Sequence, residues 1–124
     1  MRARNHNRQN TYNVLRSRVR WDTLQVQQIL QFEWDTAKAE ANLIKHAVGF
    51  DEARSVFLDP LALVIEDPDH STHEERFVIL GFSKSLRLLI VSHCLRASGS
   101  VIRIISARRA TSREAATYEH RSDG

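Results

Sequence analysis

Three apolar runs in the second half of the chain constrain its fold most. They cover residues 76–82, 86–95 and 101–107, and each has apolar residues along most of its length. The linkers between them, 83–85 and 96–100, are too short for a helical crossover and suit hairpin turns. We therefore predict three consecutive antiparallel strands. Because both faces of these strands are apolar, we expect helices to cover one side of the sheet and something to shield part of the other.

An amphipathic helix is predicted ahead of these strands. Residues 32–34 are a short strand candidate, and Asp35 is a good helix N-cap. Apolar residues then recur at steps of three and four, which predicts a helix over 35–46 that ends near Gly49. We expect its polar stripe to hold Lys38, Asn42 and Lys45, and its buried side to hold Trp34, Ala37, Ala41, Ile44 and Val48.

The remaining elements complete an α+β architecture. A second, short helix starts at Phe50, and the apolar run 61–65 is typical of a strand. Thr111 and Glu114 have the spacing of a capping box, which opens a C-terminal helix to about His120. The predicted order is βααββββα. We expect an antiparallel sheet of about four strands, packed with two N-terminal helices and one C-terminal helix.

Length and composition fit one globular domain. The 124 residues are 42% hydrophobic and 27% charged, and no apolar run is long enough to span a bilayer. The single cysteine, Cys94, cannot form an internal disulfide, and no apolar signal segment follows Met1, so we expect a cytoplasmic protein without a membrane partner. We divide the chain into an extension (1–31), a folded domain (32–120) and a tail (121–124).

Basic charge is concentrated at two places. Residues 1–31 hold six arginines and one acidic residue, which suits a nucleic-acid-binding arm, a flexible tail or a translated leader ahead of the natural start. Residues 70–124 hold nine Lys or Arg and five acidic residues, whereas 32–69 are acidic. The C-terminal half can therefore meet phosphate groups, unless its charges are ordinary solvated surface.

The folded domain carries an ordered series of short motifs. The motifs are Phe32-Glu33-Trp34-Asp35, Lys38, Asn42, Lys45-His46, Phe50-Asp51-Glu52-Ala53, Val56-Phe57, Asp59-Pro60, Asp67-Pro68-Asp69-His70-Ser71, Glu74-Glu75-Arg76 and the run 102–110. Their order and spacing over 32–120 resemble the BrnT family, the toxins of a type II bacterial toxin–antitoxin pair.

The resemblance implies a RelE-like fold and an endoribonuclease that cuts RNA without a metal ion. It also implies a BrnA-like ribbon-helix-helix antitoxin, in a complex of two toxins and two antitoxins. That antitoxin inhibits the toxin and contacts the operator DNA of their shared operon.

Two positions depart from the family pattern. Ala47 follows Lys45-His46 where the family has glycine, and Gly49 stands where serine is common. Glycine often adopts the left-handed conformation at a helix end, which alanine disfavours. We therefore expect Gly49 to take over and to shift the helix cap by two residues. The extension over 1–31 also lies outside the family pattern.

Metal-free RNA cleavage requires particular residue types in the active site. The neighbouring 2′-OH attacks the phosphate, so the reaction needs a base, an acid and cations that face the phosphorane charge. Arginine suits the last task because its planar fork binds phosphate oxygens bidentately. We predict Arg76 and Arg108 as catalytic residues whose strand ends lie together, with His46 and Glu75 for acid–base work. RNA contacts are predicted for Lys38, Lys45, Arg103 and Arg109.

Structural alternatives remain open for these residues. Each cation is also explained as a solvated surface charge, and Glu75 as an ion-pair partner of Arg76. Strict strand alternation lets Arg103 and Arg108 point to opposite faces of the sheet. His93 suits a core position, and Cys94 a small buried apolar site. The polar loop around His70 matches no strong metal motif, and no glycine-rich phosphate loop is present, so no metal or cofactor is expected.

Two other functions compete with the ribonuclease toxin. The departure at Ala47 and the basic extension over 1–31 motivate a non-catalytic RNA- or protein-binding module within an autoregulatory complex. The basic residues 1–31 motivate a DNA-binding regulator.

Overall fold

Five strands form one sheet in the order β1-β5-β4-β3-β2. The computed structural model describes residues 31–66 and 76–123. The predictions for residues 1–30 of the N-terminal extension, for the loop with His70 and Glu75, and for the last residue of the tail lie outside these ranges. The strands are β1 (Gln31–Glu33), β2 (Leu63–Glu66), β3 (Arg76–Phe82), β4 (Leu88–Arg96) and β5 (Val101–Arg109).

The antiparallel part of the sheet confirms the strand predictions. Strands β2 to β5 pair antiparallel in chain order. The fifth strand, β1, pairs parallel with β5 at the edge of the sheet, with Phe32 opposite Ile102. The helices that follow β1 lead to β2 at the opposite edge of the sheet, so the partner of β1 is the last strand along the chain.

Three helices begin and end close to the predicted positions. They are α1 (Thr36–His46), α2 (Phe50–Ser55) and α3 (Ser112–Asp123). A 3₁₀ turn, Val56–Leu58, continues α2. The Asp35 side chain caps α1 by accepting from the Lys38 amide at 3.1 Å. Among the described residues, no helix is long and apolar enough to cross a membrane.

The main core lies between the sheet and the layer formed by α1 and α2. Its buried members include Phe50 and Ala53 of α2, and Ile79, Val91 and Ile104 of the three central strands. The apolar side of the second helix is therefore as predicted, and it covers one face of the sheet.

The predicted orientation of α1 is wrong. Ala37 and Ala41 are exposed, and Ile44 is 87% exposed, whereas Asn42 is only 6% exposed and faces the sheet. The Asn42 amide nitrogen donates to the carbonyl oxygens of Val48 at 2.9 Å and Ala107 at 2.8 Å, and its oxygen accepts from the Ala107 amide at 3.1 Å. A polar side chain can occupy this buried position because its amide group is hydrogen-bonded on both sides.

The helix cap stays at Ala47, so the predicted shift to Gly49 is wrong. Ala47 itself is left-handed, with φ 59° and ψ 32°, and its amide donates to the Leu43 carbonyl at 2.9 Å. Gly49 has φ −83° and serves as the N-cap of α2. Arg87 holds the corner by donating to the Ala47 carbonyl at 2.9 Å. Tertiary contacts therefore impose a conformation that alanine disfavours.

The strained cap gives a stability prediction. Ala47→Gly should raise the free energy of unfolding by about 1 kcal/mol, because glycine adopts the left-handed region without a Cβ penalty. The same change at the exposed mid-helix residue Ala41 should instead lower it by about 1 kcal/mol. Urea unfolding of both variants measures this difference in sign. A loss of stability in Ala47→Gly would contradict the observed cap.

Candidate active site

The sheet face opposite α1 and α2 is covered only at one end by described residues. There α3 packs Tyr118 against Leu80 and Ile90, which confirms the expected partial shield. Beyond α3, this face carries arginines from three adjacent strands. We call it the arginine face and define it by Arg76, Arg96, Arg103 and Arg108.

Two of these arginines share one row across the sheet. Cys94 of β4 is paired with Arg76 of β3 on one side and with Arg103 of β5 on the other. With neighbouring strands nearly 5 Å apart, the Cα atoms of the two arginines are about 10 Å apart. Long guanidinium side chains can therefore approach a single phosphate from both sides.

The expected proximity of Arg76 and Arg108 is wrong. Strands β3 and β5 both run antiparallel to β4, so they run in the same direction. Arg76 begins β3, whereas Arg108 lies near the end of β5 and pairs with Ile90. The Ile90 row lies four residues from the Cys94 row, or about 13 Å along the strand.

A β-bulge places Arg103 and Arg108 on the same face. The β4–β5 register passes from Ser92 opposite Ser106 to His93 opposite Ile104, which leaves Ile105 as an extra residue. One extra residue reverses the alternation along a strand. Ile104 and Ala107 are thus both buried in the main core, and the two arginines both point away from it.

Glu33 links two members of the arginine face. Its Oε2 atom lies 3.0 Å from Arg103 Nη1 and 3.2 Å from Arg96 Nε. The Glu33 side chain is 40% exposed. Within the described ranges, its Oε1 atom and the remaining donors of Arg103 have no hydrogen-bond partner. The two guanidiniums therefore fix this carboxylate while leaving one oxygen accessible.

Arg108 is held by the C-terminal helix. It binds Glu114 bidentately, with both N–O distances at 2.9 Å, and it also donates to the Arg109 carbonyl. Glu114 at the same time caps α3 by accepting from the Thr111 amide at 2.9 Å, so the predicted capping box is confirmed. The hydrogen bond from Arg108 is the main reason why the pKa of Glu114 falls to about 2, and the same bond raises the pKa of Arg108.

This pair predicts a pH-dependent contribution to stability. The pKa of Glu114 is lower in the folded state than its ordinary 4.5, so its contribution is present above pH 4.5 and is lost as the pH falls towards 2. Because the side chain is 29% exposed, we expect only about 1 kcal/mol. Glu114→Gln should therefore unfold more easily than the wild type at pH 7. Urea unfolding at several pH values should show the difference shrinking below pH 4.5, and a constant difference would contradict it.

Arg76 differs from Arg96, Arg103 and Arg108 in having no side-chain partner among the described residues. Its side chain is half-buried and makes no hydrogen bond or ion pair within residues 31–66 and 76–123. A half-buried guanidinium without a bound carboxylate is available to an anionic ligand. Glu75, its predicted neighbour in acid–base work, lies outside the described residues.

The other predicted site residues do not join the arginine face. Lys38, Lys45 and His46 belong to α1, on the opposite side of the sheet. Arg109 follows Arg108 and, by alternation, lies on the α1 side at the exposed end of β5. The structure thus brings together Arg76 and Arg103, and it separates them from the α1 cations.

Glu52, Arg87 and His93 make contacts within the fold and lie outside the arginine face. Arg87 binds Glu52 through two hydrogen bonds, which lower the pKa of that carboxyl. His93 is fully buried between Phe57 and Phe77, with Nδ1 3.1 Å from the Val91 carbonyl oxygen. No group of three or more metal-ligating side chains occurs in the described part of the chain.

Sequence reasoning missed Glu33 and Arg96. Strand alternation offered a signal for Glu33, because Phe32 and Trp34 on either side of it are apolar. Its partners could not be inferred, since the parallel pairing of β1 with β5 brings together residues that are 70 positions apart.

Fold and site together define a small α+β domain with one helix-covered sheet face and one cationic face suited to a polyanion. Comparison with known proteins agrees. Residues 34–114 match the family model for "Ribonuclease toxin, BrnT, of type II toxin-antitoxin system". The chain therefore belongs to the BrnT family, ribonuclease toxins of type II toxin–antitoxin systems, which have an antitoxin partner.

A solved structure supports the fold. The crystal structure of the ribonuclease toxin BrnT from Brucella abortus is similar to this chain with a TM-score of 0.51 and 20% sequence identity. The match covers 66% of this chain and 97% of the Brucella chain. It confirms the predicted α+β fold. None of the curated proteins matches the chain.

Proposed function

We propose that this chain is an endoribonuclease that cuts RNA without a metal ion, through attack of the 2′-OH on the adjacent phosphodiester. Membership of the ribonuclease toxin family supports an RNA substrate. The row of Arg76, Cys94 and Arg103 is the observation that carries the proposal. The Cα atoms of Arg76 and Arg103 are about 10 Å apart, so two guanidiniums can reach one phosphate and supply the charge stabilisation that a phosphorane requires.

The arginines have different roles in this proposal. Arg76 and Arg103 bind the reacting phosphate, because both keep donors that are unused within the described ranges. Arg108 binds a neighbouring phosphate along the same face, in an orientation fixed by Glu114. Glu75 stays a predicted acid–base residue because it directly precedes Arg76.

The cations on α1 serve a longer RNA strand. Lys38 and Lys45 are exposed, and Arg109 is exposed near the same edge of the sheet. We propose that they contact RNA outside the cleavage position, where each contact contributes affinity that falls with salt concentration. His46 belongs to α1, on the opposite side of the sheet from the arginine face, and its acid–base role stays a prediction.

We further propose a BrnA-like ribbon-helix-helix antitoxin as the partner, in a complex of two toxins and two antitoxins. The antitoxin prevents growth arrest in the cytoplasm and carries the contact with operator DNA. The family supports an antitoxin in general, and the motif series supports this particular kind.

Inducible expression in bacteria, with and without the antitoxin gene, tests the function. We expect growth arrest with loss of intact RNA, relieved by the antitoxin. Purified protein should cut RNA in the presence of EDTA and leave DNA of the same sequence intact. Normal growth with folded protein, or cleavage abolished by EDTA and restored by a divalent metal, would contradict the proposal.

The non-catalytic binding module is motivated by Ala47 and by the basic extension. Ala47 adopts the left-handed backbone that a glycine would provide there, so it gives this alternative no support. The DNA-regulator alternative concerns the basic residues 1–31, of which 1–30 lie outside the described ranges.

A further inference from the structure

We infer that Glu33 is the general base that takes the proton from the attacking 2′-OH. The inference rests on the proposed ribonuclease activity and adds a catalytic residue to it. Glu33 belongs to β1 and is paired with Arg103 of β5, so it lies at the end of the row formed by Arg76, Cys94 and Arg103.

The geometry assigns separate tasks to the two carboxylate oxygens. Oε2 is bound by Arg103 at 3.0 Å and Arg96 at 3.2 Å, which fixes the orientation of the group. Oε1 has no hydrogen-bond partner among the described residues, and the side chain is 40% exposed. A fixed carboxylate with one accessible oxygen can accept a proton from a bound substrate hydroxyl.

Arg103 connects the base to the phosphate. Only its Nη1 atom is engaged by Glu33 within the described ranges, so its other donors can bind a phosphate oxygen. A phosphate held there brings the adjacent 2′-OH towards Glu33. Glu114, which binds Arg108 of the same face, has both oxygens engaged by that arginine and is therefore a poorer base.

The reaction balances without another cofactor. The 2′-OH proton passes to Glu33 Oε1 as the 2′ oxygen forms a bond to phosphorus. The bond between phosphorus and the 5′ oxygen breaks, and the 5′ oxygen keeps the electron pair and takes a proton from water. Glu33 then returns its proton to solvent. The products carry a 2′,3′-cyclic phosphate and a 5′-hydroxyl.

Glu33→Gln tests the base, because glutamine keeps the shape of the side chain and cannot accept this proton as a carboxylate does. On a labelled RNA oligonucleotide that the wild type cuts, we expect kcat to fall by about a hundredfold or more with little change in KM. The rise of kcat/KM with pH that a carboxylate base produces should also disappear. Cyclic phosphate at the wild-type product ends confirms the reaction type.

Asp51→Asn is the matched control. Asp51 also accepts from two cations, Arg54 at 2.6 Å and Lys84 at 3.0 Å, but it lies on α2 at the opposite side of the sheet. The Asp51→Asn substitution should leave kcat and KM for RNA cleavage unchanged. Circular dichroism should show that both variants are folded.

The outcomes separate this inference from the proposed function. A wild-type protein that cuts no RNA overturns the ribonuclease proposal. An active wild type whose Glu33→Gln variant keeps its kcat overturns the base assignment alone. A rise in KM with unchanged kcat also overturns it, because Glu33 would then only position Arg103.

Discussion

Arg76→Ala and Arg103→Ala are each expected to lower the rate of RNA cleavage by about a hundredfold or more, the usual effect of removing one donor to a developing oxyanion. The reason is the shared row of these residues on the exposed part of the arginine face. Single-turnover cleavage of a labelled RNA measures the loss. Arg76→Lys should retain part of the rate, because lysine keeps the charge but loses the bidentate fork.

Arg54→Ala provides the control for these variants. Arg54 is an exposed arginine of α2 that pairs with Asp51, away from the arginine face. The control removes the same charge, so its cleavage rate should equal that of the wild type at matched ionic strength. A similar loss of cleavage rate in Arg54→Ala, Arg76→Ala and Arg103→Ala would indicate that the arginines only attract RNA by their charge. Full activity in Arg76→Ala would exclude that residue from the site.

Asn42→Ala is expected to lower the free energy of unfolding by about 3 kcal/mol. The change leaves the carbonyl oxygens of Val48 and Ala107 and the Ala107 amide without the Asn42 partner, and each unpaired buried group costs about 1 kcal/mol or more. This is a large part of the stability of a small domain. Urea unfolding monitored by circular dichroism measures it.

Ile44→Ala tests the same orientation of α1 from its outer side. Ile44 is 87% exposed, so its truncation should change stability by less than about 0.5 kcal/mol. The hydrophobic pattern of the sequence predicts the reverse ranking, with Ile44 buried and Asn42 in solvent. A larger loss of unfolding free energy for Ile44→Ala than for Asn42→Ala would therefore contradict the observed orientation of α1 and support the one that the pattern predicts.

Local chemistry made most of the elements predictable from sequence. Asp35 caps α1 through the Lys38 amide, and the Thr111–Glu114 capping box opens α3, because both motifs act over three residues. The strand 76–82 has the predicted bounds, since apolar segments separated by short polar linkers favour hairpins. The family motifs likewise depend on order and spacing, which the sequence contains in full.

Contacts between distant residues decided the features that the pattern predicted wrongly. The α1 helix has apolar residues on one side, yet three hydrogen bonds to Val48 and Ala107 turn Asn42 to the sheet. Ala47 stays left-handed where Arg87, forty positions away, donates to its carbonyl. Such hydrogen bonds outweigh local conformational preferences of about 1 kcal/mol. They cannot be predicted from the local sequence, because their partners are far apart along the chain.

The candidate site divides in the same way. The sequence by itself determined the kind of chemistry, because an arginine-rich C-terminal half within the family motifs points to phosphate. Only the tertiary structure decided which arginines act together. The parallel pairing of β1 with β5 brings Glu33 to Arg103. The common direction of β3 and β5 separates Arg76 from Arg108. The extra residue at the bulge, Ile105, places Arg108 on the same face as Arg103. Register and strand direction are properties of the assembled sheet, so they follow from long-range pairing rather than from local composition.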